Sequence, residues 1–322
     1  MSGTKPAHSI PFAFPAFLMP SLLTGLVAAP FTPFLPNGDV ALEMIPRLAA
    51  LLNQNGVSGA FVCGTTGEGS SLTTSDRMQV AAAWRRACPD GLKLAVHVGH
   101  LSLRESITLA RHAQDIRADA IATLAPSFFR PSDAAGLVDW CREIAASAPE
   151  LPFYYYHMPA MTGVMIPVRD FLQTLGGQIP TFAGVKFTHE DLTDYAASQA
   201  FVRGRYNLLF GRDEILLSAL ELGAPGAVGS TYNYAAPLYQ RILRAYASGD
   251  LNKARQDQRR AQTFIGIMNR YGGLPAGKTI MKFIGVDCGP VRLPLRSLST
   301  ENETALRAEL EACGFFHYAS RG

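Results

Sequence analysis

Charged residues are scarce in this 322-residue chain: Asp, Glu, Lys and Arg make up 17% of it, and the formal net charge is only +3. The Lys and Arg residues are scattered, which argues against a nucleic-acid-binding surface. No apolar run reaches the ~18 residues of a membrane-spanning helix. The five cysteines are odd in number and form no C-x-x-C pair, which argues against disulfides and a zinc knuckle. These absences favour a reduced, cytoplasmic protein without nucleic-acid or membrane partners.

The N-terminal stretch IPFAFPAFLMPSLL, residues 10–23, is apolar enough to suggest a signal peptide. Its prolines, its weakly positive start and the lack of a clear small-residue cleavage site argue against one. We expect residues 1–20 to be a loosely structured lead-in.

Eight short apolar segments recur along the chain, and helical patterns separate them. Near-continuous apolar strands that alternate with helices predict a parallel sheet covered on both faces. Eight such units favour an α/β fold of the closed (β/α)8, or TIM, barrel type. A doubly wound open sheet is the alternative, which the lack of G-x-G-x-x-G at the first strand–helix turn weakens. The segments are residues 22–30, 58–64, 93–99, 119–126, 151–156, 181–187, 207–211 and 226–230.

Several helices have start signals in the sequence. A capping-box pattern, in which side chains satisfy the free N–H groups of a first helical turn, occurs three times. Asp213 is expected to open a further helix, which Gly223 closes. The three pairs are Thr73 with Asp76, Ser102 with Glu105, and Thr188 with Asp191.

After Ser230 the pattern is helical only. It predicts helices over residues 235–248, 251–271, 275–285 and 300–313. We therefore expect a barrel over residues 21–248 and a small C-terminal helical extension over residues 249–322, within the same domain.

The active site of a TIM barrel lies at the C-terminal ends of its strands. Strand-end residues are therefore the candidates for function. They are Thr65, Thr66, His97, Pro126, Phe128, Tyr156, His157, Lys186, Thr188, Gly211, Asp213, Glu214 and Ser230.

Lys186 is the most informative of these residues because it lies inside the apolar strand segment GVKF. A buried ammonium is costly, so a lysine in such a place loses its proton more readily. The free amine can attack a ketone and form a Schiff base. The alternative is a lysine that extends its amine to the rim or pairs with a carboxylate.

Tyr156 ends the strand segment FYYY, residues 153–156. Side chains on a strand alternate, so Tyr154 and Tyr156 share one face while Phe153 and Tyr155 share the other. Tyr156 then faces the barrel mouth, where its phenol can exchange a proton with a developing alkoxide beside Lys186. A core tyrosine with a satisfied hydroxyl is the alternative.

The segment CGTTGEGSS, residues 63–71, follows the second strand. Gly64 and Gly67 are expected to allow a tight turn that exposes backbone N–H groups. Together with the hydroxyls of Thr65 and Thr66, these groups suit a carboxylate. A plain turn is the alternative, and a P-loop is excluded because no Gly-Lys-Ser/Thr follows.

His97 and His100 are candidate metal ligands. Their spacing is poor and no third ligand is evident, which favours structural histidines. We expect no metal and no cofactor.

Five motifs together resemble the dihydrodipicolinate synthase / N-acetylneuraminate lyase family. Within that family they are most similar to the lyase branch in its animal-type form. The resemblance runs from about residue 26 to about residue 295. The motifs are GTTGEG (64–69), YYYHMPAMTG (154–163), GVKF (184–187), GRDE (211–214) and GAVGSTYNY (226–234).

The resemblance implies a TIM barrel with C-terminal helices and a class I aldolase that needs no metal. The implied reaction is the reversible cleavage of N-acetylneuraminate to N-acetylmannosamine and pyruvate. Lys186 is then the Schiff-base lysine, Tyr156 the catalytic tyrosine, and Thr65 and Thr66 bind the substrate carboxylate. The implied contacts to sugar hydroxyls are Thr188, Gly211, Asp213, Glu214 and Ser230.

Two positions favour the lyase over the synthase. Where the synthase carries an arginine after its strand-5 proline, this chain has Met161, which cannot bind a carboxylate. Where the synthase carries two aromatic hydroxyls after strand 4, this chain has Ser127 and Phe128. Phe128 cannot relay a proton to a neighbouring subunit, and His157 fits the animal-type pattern. The resemblance implies a homotetramer or dimer, joined by the Phe128 loop.

Three other functions stay open at this point. One is another pyruvate-dependent aldolase or synthase of the family, acting on a different 2-keto acid. Another is a metal-dependent aldolase or hydrolase that uses His97 and His100. The third is a non-catalytic sugar-acid-binding protein, which an intact lysine and tyrosine disfavour.

Overall fold

Eight parallel strands close into a barrel in the computed structural model, which describes residues 23–321. The strands neighbour one another in chain order, and β1 pairs with β8 to complete the ring. The TIM-barrel prediction is confirmed, and the open-sheet alternative is wrong. The strands are β1 Gly25–Ala28, β2 Gly59–Val62, β3 Lys93–His97, β4 Ala120–Leu124, β5 Phe153–His157, β6 Phe182–Phe187, β7 Asn207–Phe210 and β8 Gly226–Gly229.

Helices α1 to α4 and α6 to α9 cover the outside of the barrel, whereas α5 is a single short turn at its mouth. They are α1 Ile45–Gln54, α2 Thr74–Ala87, α3 Leu103–Asp115, α4 Ala134–Ala146, α5 Pro159–Thr162, α6 Val168–Leu175, α7 Leu192–Val202, α8 Leu216–Glu221 and α9 Tyr232–Ala247.

The C-terminal part continues with three helices: α10 Leu251–Arg270, α11 Leu274–Phe283 and α12 Thr300–Ala312. The four helices predicted after Ser230 are therefore present, with α9 beginning at Tyr232. The proposed lead-in, residues 1–20, lies outside the described residues. No helix among residues 23–321 combines the length and the apolar character that crossing a membrane requires.

The alternation expected for FYYY is confirmed. Tyr154 and Tyr156 belong to the cluster that fills the barrel interior. Phe153 and Tyr155 belong to the larger cluster between the strands and the helices. The interior cluster also contains Leu23, Val27, Phe61, Ala95, Ala120, Ala122, Ala183, Leu209 and Val228.

Two of the predicted helix starts are confirmed. Thr73 and Asp76 form a complete capping box on α2, and the Ser102 hydroxyl accepts a hydrogen bond from the Glu105 N–H at the start of α3. Gly223, with φ of +89°, follows α8. Its N–H donates to the carbonyl of Leu220, as expected where a helix ends on glycine.

At two other helix starts the helical segment is present, but the predicted capping interaction is wrong. Asp191, not Thr188, caps α7, and its carboxylate accepts from the backbone of Thr193. Thr188 instead continues the course of β6 and turns toward the barrel mouth. Asp213 lies in a turn of 3-10 helix ahead of α8, and its carboxylate accepts from Thr231 instead of capping.

A buried ion pair joins α11 to the loop after β2. The Glu68 carboxylate lies 2.8 Å from the Lys278 Nζ, and the two side chains are 1% and 3% exposed. The second carboxylate oxygen accepts a hydrogen bond from the Arg292 N–H at 2.8 Å. Lys278 also donates to the carbonyl of Pro290. Burial lowers the pKa of Lys278, while the Glu68 carboxylate raises it.

Replacing Lys278 by Met should lower the free energy of unfolding by about 3–5 kcal/mol, because the Glu68 carboxylate then stays buried without a counter-ion. The double variant Glu68→Gln/Lys278→Met should recover part of that loss, because neither charge remains. Urea denaturation measures both. The control is Lys282→Met on the same helix, where the side chain is 49% exposed. If Lys278→Met cost no more than this control, the ion pair would not stabilise the fold.

Candidate active site

A cleft of about 290 Å³ opens at the C-terminal ends of the strands. The structure brings every predicted site residue to its wall. These residues are Thr65, Thr66, Tyr156, Lys186, Thr188, Gly211, Asp213, Glu214 and Ser230.

One wall of the cleft comes from the C-terminal helices, which the sequence did not indicate. Residues of α10 and α11, and of the turn between them, face the strand ends. They are Ile265, Met268, Asn269, Gly273, Leu274 and Gly277.

Lys186 lies in the barrel interior and is 4% exposed. Its Nζ lies 4.3 Å from the centre of the Phe61 ring and 3.9 Å from that of the Tyr156 ring. Among residues 23–321 no carboxylate forms an ion pair with it. Two aromatic faces therefore contact the Lys186 Nζ, and no carboxylate of the described residues does.

Tyr156 pairs with Lys186 in the register of β5 and β6, so both side chains rise from the same level of the barrel. The Tyr156 hydroxyl lies 3.3 Å from the Thr65 Oγ1. It also donates to the Sδ of Met158 at 3.0 Å. Phe61 packs edge-on against the phenol, with ring centres 5.5 Å apart. The ring is thereby fixed while the hydroxyl faces the cleft.

The loop after β2 turns for a different reason from the one predicted. Its left-handed residues are Cys63, with φ of 57°, and Glu68, with φ of 52°. Gly64 and Gly67 are required by close packing instead. A Cβ on Gly64 would lie 2.9 Å from the Phe61 ring, and a Cβ on Gly67 would lie 3.2 Å from the Cys63 nitrogen.

The wall formed by β6 to β8 is polar and tightly packed. The Thr188 Oγ1 is buried and has no hydrogen-bond partner among residues 23–321, and a Cβ on Gly211 would collide with it. The Asp213 carboxylate accepts from the Thr231 N–H at 3.0 Å and the Thr231 hydroxyl at 2.6 Å. Burial raises the pKa of Asp213. Glycine at 229 leaves room for this carboxylate.

The rim carries a charged group that sequence reasoning missed. Arg212 forms ion pairs with both Glu190 and Glu214, the latter at 2.8 Å. Gln262 donates to the backbone carbonyl of Glu214. With the nearby Ser230, this rim offers hydrogen-bond donors and acceptors for a polyhydroxylated ligand.

The two candidate metal ligands are engaged with the backbone. The His97 Nε2 accepts from the Leu124 N–H at 3.3 Å, so its Nδ1 donates to the Cys63 carbonyl at 3.1 Å. Burial holds the pKa of His97 well below its usual value. The His100 Nδ1 accepts from the Ser102 N–H. No group of three His, Cys, Asp or Glu side chains within residues 23–321 could hold a metal ion.

The remaining strand-end candidates lie away from the cleft or at its edge. His157 points outward and packs beside Tyr155, and burial lowers its pKa to about 3. Pro126 lines an adjacent cavity of about 700 Å³. Phe128 is 76% exposed, and Met161, at the edge of the cleft, is 61% exposed.

Such an arrangement can bind a 2-keto acid and react with its ketone. An unpaired amine, a phenol and a hydroxyl-bearing loop converge at one point of a cleft with a polar rim. These are the groups that Schiff-base chemistry on a hydroxylated substrate requires.

Comparison with known proteins agrees with this geometry. The N-acetylneuraminate lyase of Mus musculus is 44% identical over 299 residues, covering 91% of this chain and 93% of the mouse protein. The solved structure of Proteus mirabilis N-acetylneuraminate lyase has a TM-score of 0.88 and 40% identity, covering 91% of this chain and 99% of that one. That of the Aliivibrio salmonicida enzyme also has a TM-score of 0.88, at 39% identity, covering 91% and 98%.

A protein-family model also matches most of the chain. The model of the dihydrodipicolinate synthetase family matches residues 22–313. The family predicted from the strand-end motifs is thereby confirmed: this chain belongs to the dihydrodipicolinate synthetase family.

Proposed function

We propose that this protein is an N-acetylneuraminate lyase, a Schiff-base aldolase that reversibly cleaves N-acetylneuraminate to N-acetylmannosamine and pyruvate. The observation that carries the proposal is the convergence of Lys186, Tyr156 and the Thr65–Thr66 loop in one cleft. The identity to lyases over most of the chain supports the choice of substrate.

The reaction begins at the amine of Lys186. It adds to the C2 ketone of the open-chain sugar acid, and loss of water gives an imine. Thr65 and Thr66 bind the substrate carboxylate and so place C2 beside the amine. The protonated imine then serves as the electron sink for the bond cleavage.

Tyr156 carries the proton transfer of the second step. Its hydroxyl oxygen accepts the proton of the C4 hydroxyl while its own proton passes to the substrate carboxylate. The O–H electrons form the C4 carbonyl, the C3–C4 bond breaks, and its electrons flow into the imine to give an enamine. N-acetylmannosamine leaves, and protonation and hydrolysis of the enamine release pyruvate.

The other site residues hold the sugar chain. Thr188, Asp213, Glu214 and Ser230 offer hydroxyl and carboxylate oxygens along one wall of the cleft. Gly211 contributes by leaving space, since any side chain there would collide with Thr188. This wall suits a substrate with hydroxyl groups along its length.

Replacing Lys186 by Ala should abolish pyruvate release from N-acetylneuraminate, because no other amine can form the imine. Borohydride with pyruvate should label the wild type covalently and leave the variant unlabelled, as mass spectrometry would record. The matched control is Lys253→Ala, an exposed lysine on α10, which should keep both activity and labelling. Full activity in Lys186→Ala would refute the mechanism. Labelling without pyruvate release in the wild type would redirect the proposal to another 2-keto acid.

Replacing Tyr156 by Phe should lower kcat by about 10²–10⁴-fold, the usual contribution of general acid–base catalysis. Borohydride trapping with pyruvate should persist, because imine formation uses Lys186. Steady-state kinetics and trapping together separate the two steps. Tyr155→Phe removes a hydroxyl from the opposite face of the same strand and should retain wild-type kcat. Equal losses in the two variants would argue for a packing defect.

We also propose that the protein is a homo-oligomer joined at the barrel mouth. Phe128 and Phe129, after β4, are 76% and 85% exposed and stack edge-on against each other. Leu101 and Met165, on the loops after β3 and β5, are 60% and 68% exposed. An exposed pair of phenylalanines in contact, such as Phe128 and Phe129, is typical of an interaction surface. The adjacent cavity, lined in part by Leu101, can receive the Phe128 loop of a second copy across a two-fold axis.

The variant Phe128→Asp should dissociate this oligomer, because a carboxylate would be buried in the apolar contact. Sedimentation velocity measures the change in mass. The control is Phe201→Asp. Phe201 is 41% exposed and lies near the C-terminal end of α7, before the chain enters β7. A wild type that sediments as a monomer would overturn the proposal, and so would equal dissociation by the control.

A further inference from the structure

Met158 places a sulfur atom between two hydroxyls of the active site. Its Sδ accepts from the Tyr156 hydroxyl at 3.0 Å and from the Thr65 Oγ1 at 3.6 Å. The two hydroxyl oxygens are themselves 3.3 Å apart. The three side chains therefore form a closed triangle at the edge of the cleft, which Met158 also lines.

The backbone of Met158 is fixed where β5 gives way to α5. Its carbonyl accepts from the N–H groups of Met161 and Thr162, each at 3.1 Å, and from the Thr162 hydroxyl at 3.1 Å. Pro159 follows directly and begins the helical turn. The sulfur consequently extends toward Tyr156 from a firmly held main chain.

A thioether only accepts hydrogen bonds, and it accepts them weakly. Because the Tyr156 hydroxyl directs its hydrogen at Sδ, a lone pair of the phenol oxygen stays free. That lone pair can accept the proton of the substrate's C4 hydroxyl. The sulfur carries no proton and is not basic, so it cannot divert the proton that Tyr156 must pass on. Because the contact is weak, that proton is readily released when substrate enters.

Without the sulfur, Tyr156 has a less favourable partner. Among the described residues, the other hydrogen-bond partner of its hydroxyl is the Thr65 Oγ1. A hydroxyl is a stronger acceptor than a thioether, so this bond would hold the phenol proton more firmly. It would also occupy the threonine that the proposed mechanism assigns to the substrate carboxylate.

We propose that Met158 is a positioning residue for Tyr156: its thioether directs the phenol hydrogen away from Thr65 and leaves the oxygen ready to accept the substrate proton. This inference rests on the proposed function, because it assigns to Tyr156 the proton transfer described above. It assigns a role to a residue that lies in the motif YYYHMPAMTG but to which the family resemblance gives no role.

The variant Met158→Leu tests the inference, since leucine has nearly the same volume and no acceptor. We expect kcat for N-acetylneuraminate cleavage to fall about three- to tenfold, the size of one modest hydrogen bond. Borohydride trapping with pyruvate should persist. Met165→Leu, which removes a 68% exposed methionine from the same loop region, should keep wild-type kcat.

A double-variant cycle separates positioning from packing. In the Tyr156→Phe background the hydroxyl is absent, so Met158→Leu should cause no further fall in kcat. A fall of the same factor in both backgrounds would show that the methionine acts through packing and would overturn the proposal. An unchanged kcat in Met158→Leu alone would overturn it too.

If the wild type does not cleave N-acetylneuraminate, the proposed function is refuted but the role of Met158 is not. A spectroscopic measurement then still tests that role. Tyrosine labelled with ¹³C at Cζ gives one resonance that disappears in Tyr156→Phe. That resonance should shift in Met158→Leu, because the hydrogen-bond partner of the phenol changes, and should stay in place in Met165→Leu. A resonance that does not move in Met158→Leu would refute the positioning role independently of any substrate.

Discussion

The pairing register of β5 and β6 is the constraint on which this active site depends: the register shifts after Phe153, so that Ala183 and Lys186, three residues apart, both face the barrel interior. In β5 and β6 the residues Tyr156 and Lys186 are direct partners in the register, and both face the barrel interior. A shift of either strand by one residue would turn its side chain toward the helices. From Tyr154 to His157 the two strands pair residue for residue, and the closed ring holds this register because every strand, including β1 and β8, is paired on both sides. Barrel closure thus fixes the distance between the two groups that the proposed chemistry requires.

The charges around the cleft are arranged so that no carboxylate in the described part of the chain pairs with the amine of Lys186. The buried carboxylate of Glu68 is neutralised by Lys278, and Arg212 binds Glu214 at the rim. Aromatic rings, not carboxylates, surround the Lys186 amine. An ion pair there would compete with the substrate, whereas a ring holds the amine without blocking it. The low charge content of the sequence therefore agrees with a site whose charges are few and individually compensated.

The sequence predicts the parts of the site that follow from local periodicity. Apolar runs give all eight strands, and the position of a residue at the end of such a run is enough to select Lys186, Tyr156 and Thr188. Contacts between distant segments were not predictable in this way. Lys278 reads as an ordinary helical lysine, and its partner Glu68 becomes evident only once α11 has packed against the barrel mouth.

The errors have a similar origin. The pattern Thr188-x-x-Asp191 resembles a capping box, but the strand end takes Thr188 into the cleft and leaves Asp191 to cap α7. The glycines of the β2 loop were expected to serve the turn through their conformational freedom. The tight packing around Gly64 decided that question instead, and packing distances cannot be derived from residue types alone.

The wall formed by α10 and α11 has a consequence for biosynthesis. Ribosomes synthesise a chain from its N-terminus, so the segment that contains Lys186 leaves the ribosome well before α11 does. Until α11 has been synthesised, Leu274 and Gly277 cannot close the cleft, and Glu68 lacks its counter-ion. A nascent chain that already contains every strand therefore has its reactive lysine but not a finished pocket. Completion of the pocket therefore has to wait for a helix that is synthesised after all eight strands.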